Sequence, residues 1–147
     1  MKVLLTGGGT SGHVNPALAI ADIIKKNHPD ATFAYIGTER GIEKRLVEKE
    51  GIPFYSVNIR GISRSLSPSN IKTAYLVMTA PSKAKKIIKS FAPDVVIGTG
   101  GYVCWPALKA AAEMARSSRN PKAVEVTDGK PVRQSAAILN SKSWETH

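Results

Sequence analysis

Residues 1–26, MKVLLTGGGTSGHVNPALAIADIIKK, decide the fold of this chain. Val3, Leu4 and Leu5 form a short continuous apolar run, the pattern of a strand buried on both faces in a parallel sheet. Gly7, Gly8, Gly9 and Gly12 follow, four glycines in six residues. They permit positive φ and let a ligand approach the backbone closely. Asn15-Pro16 is then expected to open a helix, with Asn as N-cap and Pro at the first helical position. Ala17, Leu18, Ala21 and Ile24 carry its apolar spacing. The expected unit is strand, glycine loop, helix. Free N–H groups and the helix dipole make such a loop a seat for an anion, especially phosphate.

Gly7-x-Gly9-x-x-Gly12 formally fits the dinucleotide fingerprint, a weak match when it stands alone. In that pattern the helix opens at the glycines. Here Pro16 is expected to delay the helix and leave His13 in the loop, beside the anion seat. A lone histidine is more often a capping or packing residue. Beside a glycine loop the functional reading is preferred.

At 147 residues the length fits one domain with a proper core. Hydrophobic content of 42% and charged content of 22% belong to a globular chain. The formal net charge of +10 implies an acidic partner: phosphate, nucleic acid or an anionic membrane surface. Cys104 is the only cysteine, which excludes a disulfide framework and a cysteine zinc site. The first strand follows Met1-Lys2 directly, so no signal peptide is expected. No apolar run reaches the roughly 20 residues that span a bilayer, so membrane contact would be peripheral.

Residues 32–37 (TFAYIG) read as a second strand. Ile42, Leu46 and Val47 line one face of a charged helix ending at Gly51, a good C-cap. Residues 53–59 (PFYSVNI) read as a third strand and 60–69 as a polar loop. A helical region over 70–91 is interrupted by Pro81, which kinks it or starts a second helix. Residues 94–98 (DVVIG) read as a fourth buried strand. Gly98, Gly100 and Gly101 form a second glycine loop, and 106–114 a further helix. Strands alternating with helices predict an α/β fold with a parallel sheet. Both glycine loops then lie at the carboxyl ends of strands, where ligands of such sheets bind. Two phosphate-compatible loops on one edge suit a pyrophosphate, although the second loop also fits a plain tight corner.

Between residues 51 and 93 there are seven basic residues and no acidic one. Arg60 and Arg64 fall in the loop, and Lys72, Lys83, Lys85, Lys86 and Lys89 on the helices. Ala80, Ala84, Ile87, Ile88 and Phe91 make an apolar stripe, and Tyr75, Leu76, Val77 and Met78 a dense apolar cluster. One reading is a core-facing helix with solvated lysines. The other, favoured by the acid-free run, is a surface lying on anionic lipid. Nucleic acid is not expected, because no binding motif is present and aromatics make up only 6% of the chain.

GGGTSGHVNPALAIA, YIGTERGIEKRLVEKEGIPF and PDVVIGTGGYVCWPALKAA follow one another in order. Together they closely resemble the N-terminal domain of the bacterial peptidoglycan glycosyltransferases that make lipid II, the undecaprenyldiphospho-muramoylpentapeptide β-N-acetylglucosaminyltransferases. The resemblance covers residues 1–114. It implies a doubly wound, Rossmann-like parallel sheet, the N-terminal half of a GT-B glycosyltransferase. In that family the N-terminal domain binds the lipid acceptor on the cytoplasmic face of the membrane. A second domain supplies most of the UDP-N-acetylglucosamine (UDP-GlcNAc) site, and GlcNAc passes with inversion to the 4-hydroxyl of the muramoyl sugar of lipid I.

Carried over by resemblance, Thr10, Ser11 and Gly12 contact the donor and His13 is the candidate base. Gly9, Gly100, Gly101 and Tyr102 hold the acceptor pyrophosphate. Lys72, Tyr75, Leu76, Lys83 and Lys86 belong to a membrane patch. Neutral imidazole suits a base near pH 7. Backbone donors and a helix terminus can stabilise departing UDP, so the resemblance implies neither metal nor cofactor. Ser11 stands where the family commonly has glycine, and it would keep a glycine-like φ only with strain.

After Met114 the resemblance breaks. The family's next strand and its donor-contacting Asn are expected to be missing. Residues 126–134 (VTDGKPVRQ) partly match the family's segment before its second domain, which would make Arg133 a donor contact or else a plain surface residue. Residues 115–147 are expected to be an irregular, partly disordered tail without a second domain. A truncated transferase, the acceptor subunit of a two-chain transferase with a separate donor chain, and a small dinucleotide-binding oxidoreductase domain (for which Glu39 comes late) are the readings that remain. A non-catalytic lipid-binding module is a further rival.

Overall fold

The computed structural model describes residues 1–59, 69–117 and 123–126, with only the backbone described for 69–78, 116–117 and 123–126. Five strands and four helices alternate along the chain: β1 (Lys2–Thr6), α1 (Ser11–Asn27), β2 (Thr32–Gly37), α2 (Ile42–Lys49), β3 (Phe54–Ser56), α3 (Ser69–Phe91), β4 (Val95–Gly98), α4 (Cys104–Ser117) and β5 (Ala123–Val126). The strands form one parallel sheet in the order β3-β2-β1-β4-β5. This is the expected doubly wound α/β arrangement.

β1 lies at the centre, with Leu4 opposite both Ala34 of β2 and Val96 of β4. Its apolar run is continuous because both of its faces are covered. Leu4 packs with Ala80, Ala84 and Ile88 of α3 and Ala107, Ala110 and Ala111 of α4. Val3 and Leu5 point the other way, into Val14, Ala17 and Ala21 of α1 and Val47 of α2. Alanines facing alanines bring α3 and α4 close together over the sheet.

Three sequence expectations need correction. First, α1 begins at Ser11 rather than at Asn15-Pro16. Thr10 is the extended N-cap residue, and its carbonyl accepts the N–H groups of His13 and Val14. Pro16 therefore lies inside the helix. It removes the N–H that would bond to the Gly12 carbonyl, but Gly12 and Pro16 are both exposed, so water can satisfy that carbonyl. Second, the apolar stripe of α3 is core rather than lipid-facing, with Ala80, Ala84 and Ile88 buried against α4. Of the two outcomes expected at Pro81, a second helix does not occur: α3 runs through it as one helix. It ends at Phe91; the next residue, Ala92, has a left-handed φ of 52°, and its N–H donates to the Ile88 carbonyl; Pro93 follows.

Third, residues beyond 114 carry regular structure. α4 runs to Ser117, and Ala123–Val126 adds a parallel edge strand on β4. The sheet therefore continues past 114, with an edge strand where an irregular tail was expected. Four residues broken by Glu125 carry too little alternation to announce a strand; β4 supplies the template for it. The rest of the expected tail, including Arg133, lies outside the described residues. Smaller shifts occur elsewhere. β3 covers only Phe54–Ser56, although Val57 and Ile59 still enter the core. α4 starts two residues earlier than expected, at Cys104. Gly51 closes α2 with φ of 69°, as expected.

Replacing Ile88 with Ala should cost about 2–5 kcal/mol in urea-denaturation experiments, whereas Lys86→Ala should stay within about 0.5 kcal/mol. Equal, small effects would return the α3 stripe to the surface.

Candidate functional site

The order β3-β2-β1-β4-β5 reverses direction between β1 and β4. In an open parallel sheet this switch opens a crevice beyond the carboxyl ends of those two strands. The first glycine turn follows β1 and the second follows β4, so both crown this crevice.

They also touch. The Gly8 N–H donates to the Gly100 carbonyl at 3.3 Å. The Thr99 N–H donates to the Thr6 carbonyl at 3.0 Å, and the Thr99 hydroxyl donates to the His13 carbonyl at 2.5 Å. There is no room here for side chains. A Cβ on Gly7 would strike the Thr99 hydroxyl, and one on Gly101 would strike the Gly8 carbonyl. The second turn is thus packed directly on the first.

His13 lies in the first turn of α1, partly buried. Its ring lies against the second turn: a Cβ on Gly100 would come within 2.7 Å of Nδ1, and one on Gly101 within 3.2 Å of Cδ2. The imidazole therefore stands at the crevice, as expected, but on a helix instead of a loop. Thr10, Ser11 and Gly12 are exposed beside it. As first-turn residues, Ser11 and Gly12 have N–H groups without intrahelical acceptors, aimed beyond the sheet edge. Ser11 is helical and carries no positive φ, so the expected strain is absent. Gly9 has φ of 85°, and the ring of Tyr102 covers it, with Cε1 3.1 Å from where a Cβ would stand. Tyr102 is itself exposed. Gly9, Thr10, Ser11, Gly12, His13, Gly100, Gly101 and Tyr102 thus converge on one rim.

Three buried side chains brace this rim. The Tyr35 hydroxyl donates to the Gly7 carbonyl at 2.8 Å, and its ring stacks on Phe54 at 6.1 Å. Burial pushes the phenol far above its ordinary range, so it stays a neutral donor. Cys104 Sγ lies 2.9 Å from the Gly100 carbonyl and 3.2 Å from the Thr6 carbonyl, and it accepts the Gly100 N–H at 3.2 Å. Burial raises this thiol too, which makes it a neutral structural group and not a nucleophile. The third is Glu43, fully buried, whose Oε1 accepts the Thr38 N–H at 2.9 Å and the Thr38 hydroxyl at 2.5 Å. Its Oε2 accepts the Gly9 N–H at 3.3 Å. Sequence reasoning passed over all three. A Glu in the first turn of a helix is ordinary, and only the crowd of glycines around it hinted at burial.

Other expected site residues lie elsewhere. Lys83 and Lys86 are exposed on α3, and the Lys83 charge reaches Glu39 in the β2–α2 turn. The side chains of Lys72, Tyr75 and Leu76, with Arg60 and Arg64, fall outside the described residues. Glu39, the acid a dinucleotide ribose would need, is exposed. Hydrogen bonding to Lys44 holds its carboxyl below the usual range. Because α1 opens at the glycines, Pro16 no longer argues against a dinucleotide; the late place of Glu39, two residues past the end of β2, still does.

The chain as a whole is similar to known proteins. The family model described as glycosyltransferase family 28 N-terminal domain matches residues 3–118. A Listeria monocytogenes relative is 55% identical over 114 residues, covering 78% of this chain and 31% of the relative. It is called UDP-N-acetylglucosamine–N-acetylmuramyl-(pentapeptide) pyrophosphoryl-undecaprenol N-acetylglucosamine transferase. A relative of the same name from Lactococcus lactis is 52% identical, with 78% and 32% covered. The chain thus spans about a third of the length of these relatives. The crystal structure of Acinetobacter baumannii MurG superposes with a TM-score of 0.68 at 28% identity, covering 85% of this chain and 34% of that one. UDP-GlcNAc 2-epimerase from Neisseria meningitidis shares the fold, with a TM-score of 0.55 at 18% identity, 86% of this chain and 32% of that one being covered.

Gly100→Ala should destabilise the domain by about 1–3 kcal/mol, since φ of 113° disfavours any L side chain. It should also shift the His13 ring resonances in NMR spectra. A stable variant with unmoved His13 signals would contradict the packing described.

Proposed function

The chain belongs to the glycosyltransferase family 28 N-terminal domain family, and from that premise we propose that it forms the acceptor side of a transferase converting lipid I to lipid II. The reaction moves N-acetylglucosamine from UDP-GlcNAc to the muramoyl sugar of the undecaprenyl-pyrophosphoryl acceptor. The observation that carries this reading is the pinning of the two glycine turns across the switch point, with the His13 imidazole held against Gly100 and Gly101.

In this reading the acceptor pyrophosphate rests on the second turn, at Gly100, Gly101 and Tyr102, with Gly9 shaping the near wall. The Gly9 N–H is committed to Glu43, so Gly9 contributes its Cα surface and not a donor. His13 takes the proton from the 4-hydroxyl as that oxygen attacks the anomeric carbon. The C–O bond to UDP breaks on the opposite face, which inverts the centre. The N–H groups of Ser11 and Gly12 and the positive end of α1 stabilise the diphosphate charge that develops, with Thr10 beside them. Arg133 is assigned to the donor by resemblance alone.

No described helix is long and apolar enough to cross a membrane. The reading places the domain peripherally on the cytoplasmic face, held by lysines such as Lys83 and Lys86 over anionic lipid. Their exposure supports this, whereas the stripe beside them is core and contributes no insertion. The remaining two thirds of the relatives' length, on this or a partner chain, would supply the rest of the donor site.

Grafting residues 3–118 into the Listeria relative in place of its matching segment gives the test. The chimera should make lipid II, and His13→Ala within it should lower kcat about a hundredfold with little change in KM. A near-normal rate would leave His13 structural. On anionic vesicles, the double variant Lys83→Ala/Lys86→Ala should bind about thirtyfold more weakly, at roughly 1 kcal/mol per lysine. Binding that ignores both variant and salt would remove these lysines from the patch.

A further inference from the structure

Glu43 is a carboxyl group sealed from solvent at the base of the rim. Among the described residues no lysine or arginine forms an ion pair with it. Its partners are two backbone N–H groups and one hydroxyl, and it lies in the first turn of α2, where the helix dipole favours a carboxylate. Three glycines make the space for it: Gly8 in the β1–α1 turn, Gly37 at the end of β2 and Gly41 just before α2. A Cβ on Gly8 would come within 2.7 Å of its Cδ, one on Gly37 within 2.7 Å of its Cγ, and one on Gly41 would collide with the carboxyl itself. Burying a carboxyl is costly even with partners. A fold needing only a tight β2–α2 turn could have made one from Thr38 and Gly41 alone.

The geometry points to a positioning role: Glu43 sets the first glycine turn, and through it the anion seat and His13. Oε1 is anchored to Thr38, which leaves Oε2 to hold the Gly9 N–H. Gly9 is thereby gripped from below by Glu43 and from above by the Tyr102 ring, at φ of 85°. The residue that follows is Thr10, whose extended conformation and carbonyl start α1. Fixing Gly9 therefore fixes where the N–H groups of Ser11 and Gly12 aim and where the His13 ring stands. Holding the Gly9 N–H also leaves the first helical turn as the donor set on the α1 side. The inference rests on the reading of this rim as a pyrophosphate seat.

The test uses the 147-residue chain and Glu43→Gln, which keeps the size and one acceptor. With the amide oxygen toward Thr38, the NH2 faces the Gly9 N–H, donor against donor. In wild type the Gly9 amide should exchange slowly with solvent despite its exposed position. In the Gln variant that protection should vanish, the Thr10–His13 amides should move in NMR spectra, and inorganic pyrophosphate should bind about tenfold more weakly, with CD spectra unchanged. A purely structural Glu43 would lower the melting temperature but leave the pyrophosphate Kd of the folded variant and the Thr10–His13 amides as they were, overturning the proposal. So would a Gly9 amide that exchanges at open-loop rates in wild type, a measurement available even if the variant does not fold. If the amides respond but wild type does not bind pyrophosphate, the positioning of the turn stands and the pyrophosphate reading falls.

Discussion

Contact between the two glycine turns is the constraint on which the rim depends. The Gly8 N–H meets the Gly100 carbonyl, and the Thr99 hydroxyl meets the His13 carbonyl. Between them, these bonds join the end of β4 to the beginning of α1 across the one place where the sheet reverses its order. The backbones approach so closely that Gly7 and Gly101 have no space for a methyl group. Glycine is required there by distance, and at Gly9 and Gly100 by a left-handed φ. An imidazole resting on such a surface is held by packing on atoms that cannot move far.

Beneath the rim the polar groups are satisfied in a graded way. Tyr35 and Cys104 are neutral and serve carbonyls of the turns, Gly7 in one case and Gly100 and Thr6 in the other. Glu43 serves N–H groups instead. Donors and acceptors of the turns are thus met from below by groups of matching kind, which leaves the upper surface free to meet a ligand. Among the described residues Thr6 Oγ1 is the buried side-chain atom left without a partner. It lies at the end of β1, directly under this junction.

Much of the fold was legible because its signals are local. The run Val3–Leu5 read as a strand buried on both faces, and the structure covers it on both. TFAYIG gave β2 with its boundaries intact, and Gly51 gave the end of α2. Proline misled the reading once. Pro16 suggested a helix start, yet one lost hydrogen bond at an exposed turn is a small cost beside the packing of Val14, Ala17 and Ala21. Pro81 left a kink or a second helix open, and the burial of Ala80, Ala84 and Ile88 carries α3 through it as one helix. β5 was missed because an edge strand of four residues owes its conformation to the ladder that β4 offers.

The chain's own order of residues determined that two phosphate-compatible turns follow two strands, and that a histidine accompanies the first, because glycine spacing and apolar runs act over a few neighbouring positions. Which turns would meet, and which acid would lie beneath them, was decided by tertiary structure alone. The Glu43 side chain looks like any first-turn carboxylate until the parallel sheet places Gly8, Gly37 and Gly41 around it. The lysine-flanked stripe of α3 looks equally fit for lipid or core until α4 lies against it. Gly37 and Gly41 are near neighbours of Glu43 in the chain, but Gly8 is not, and neither is α3 close to α4; no local periodicity encodes those two distant contacts.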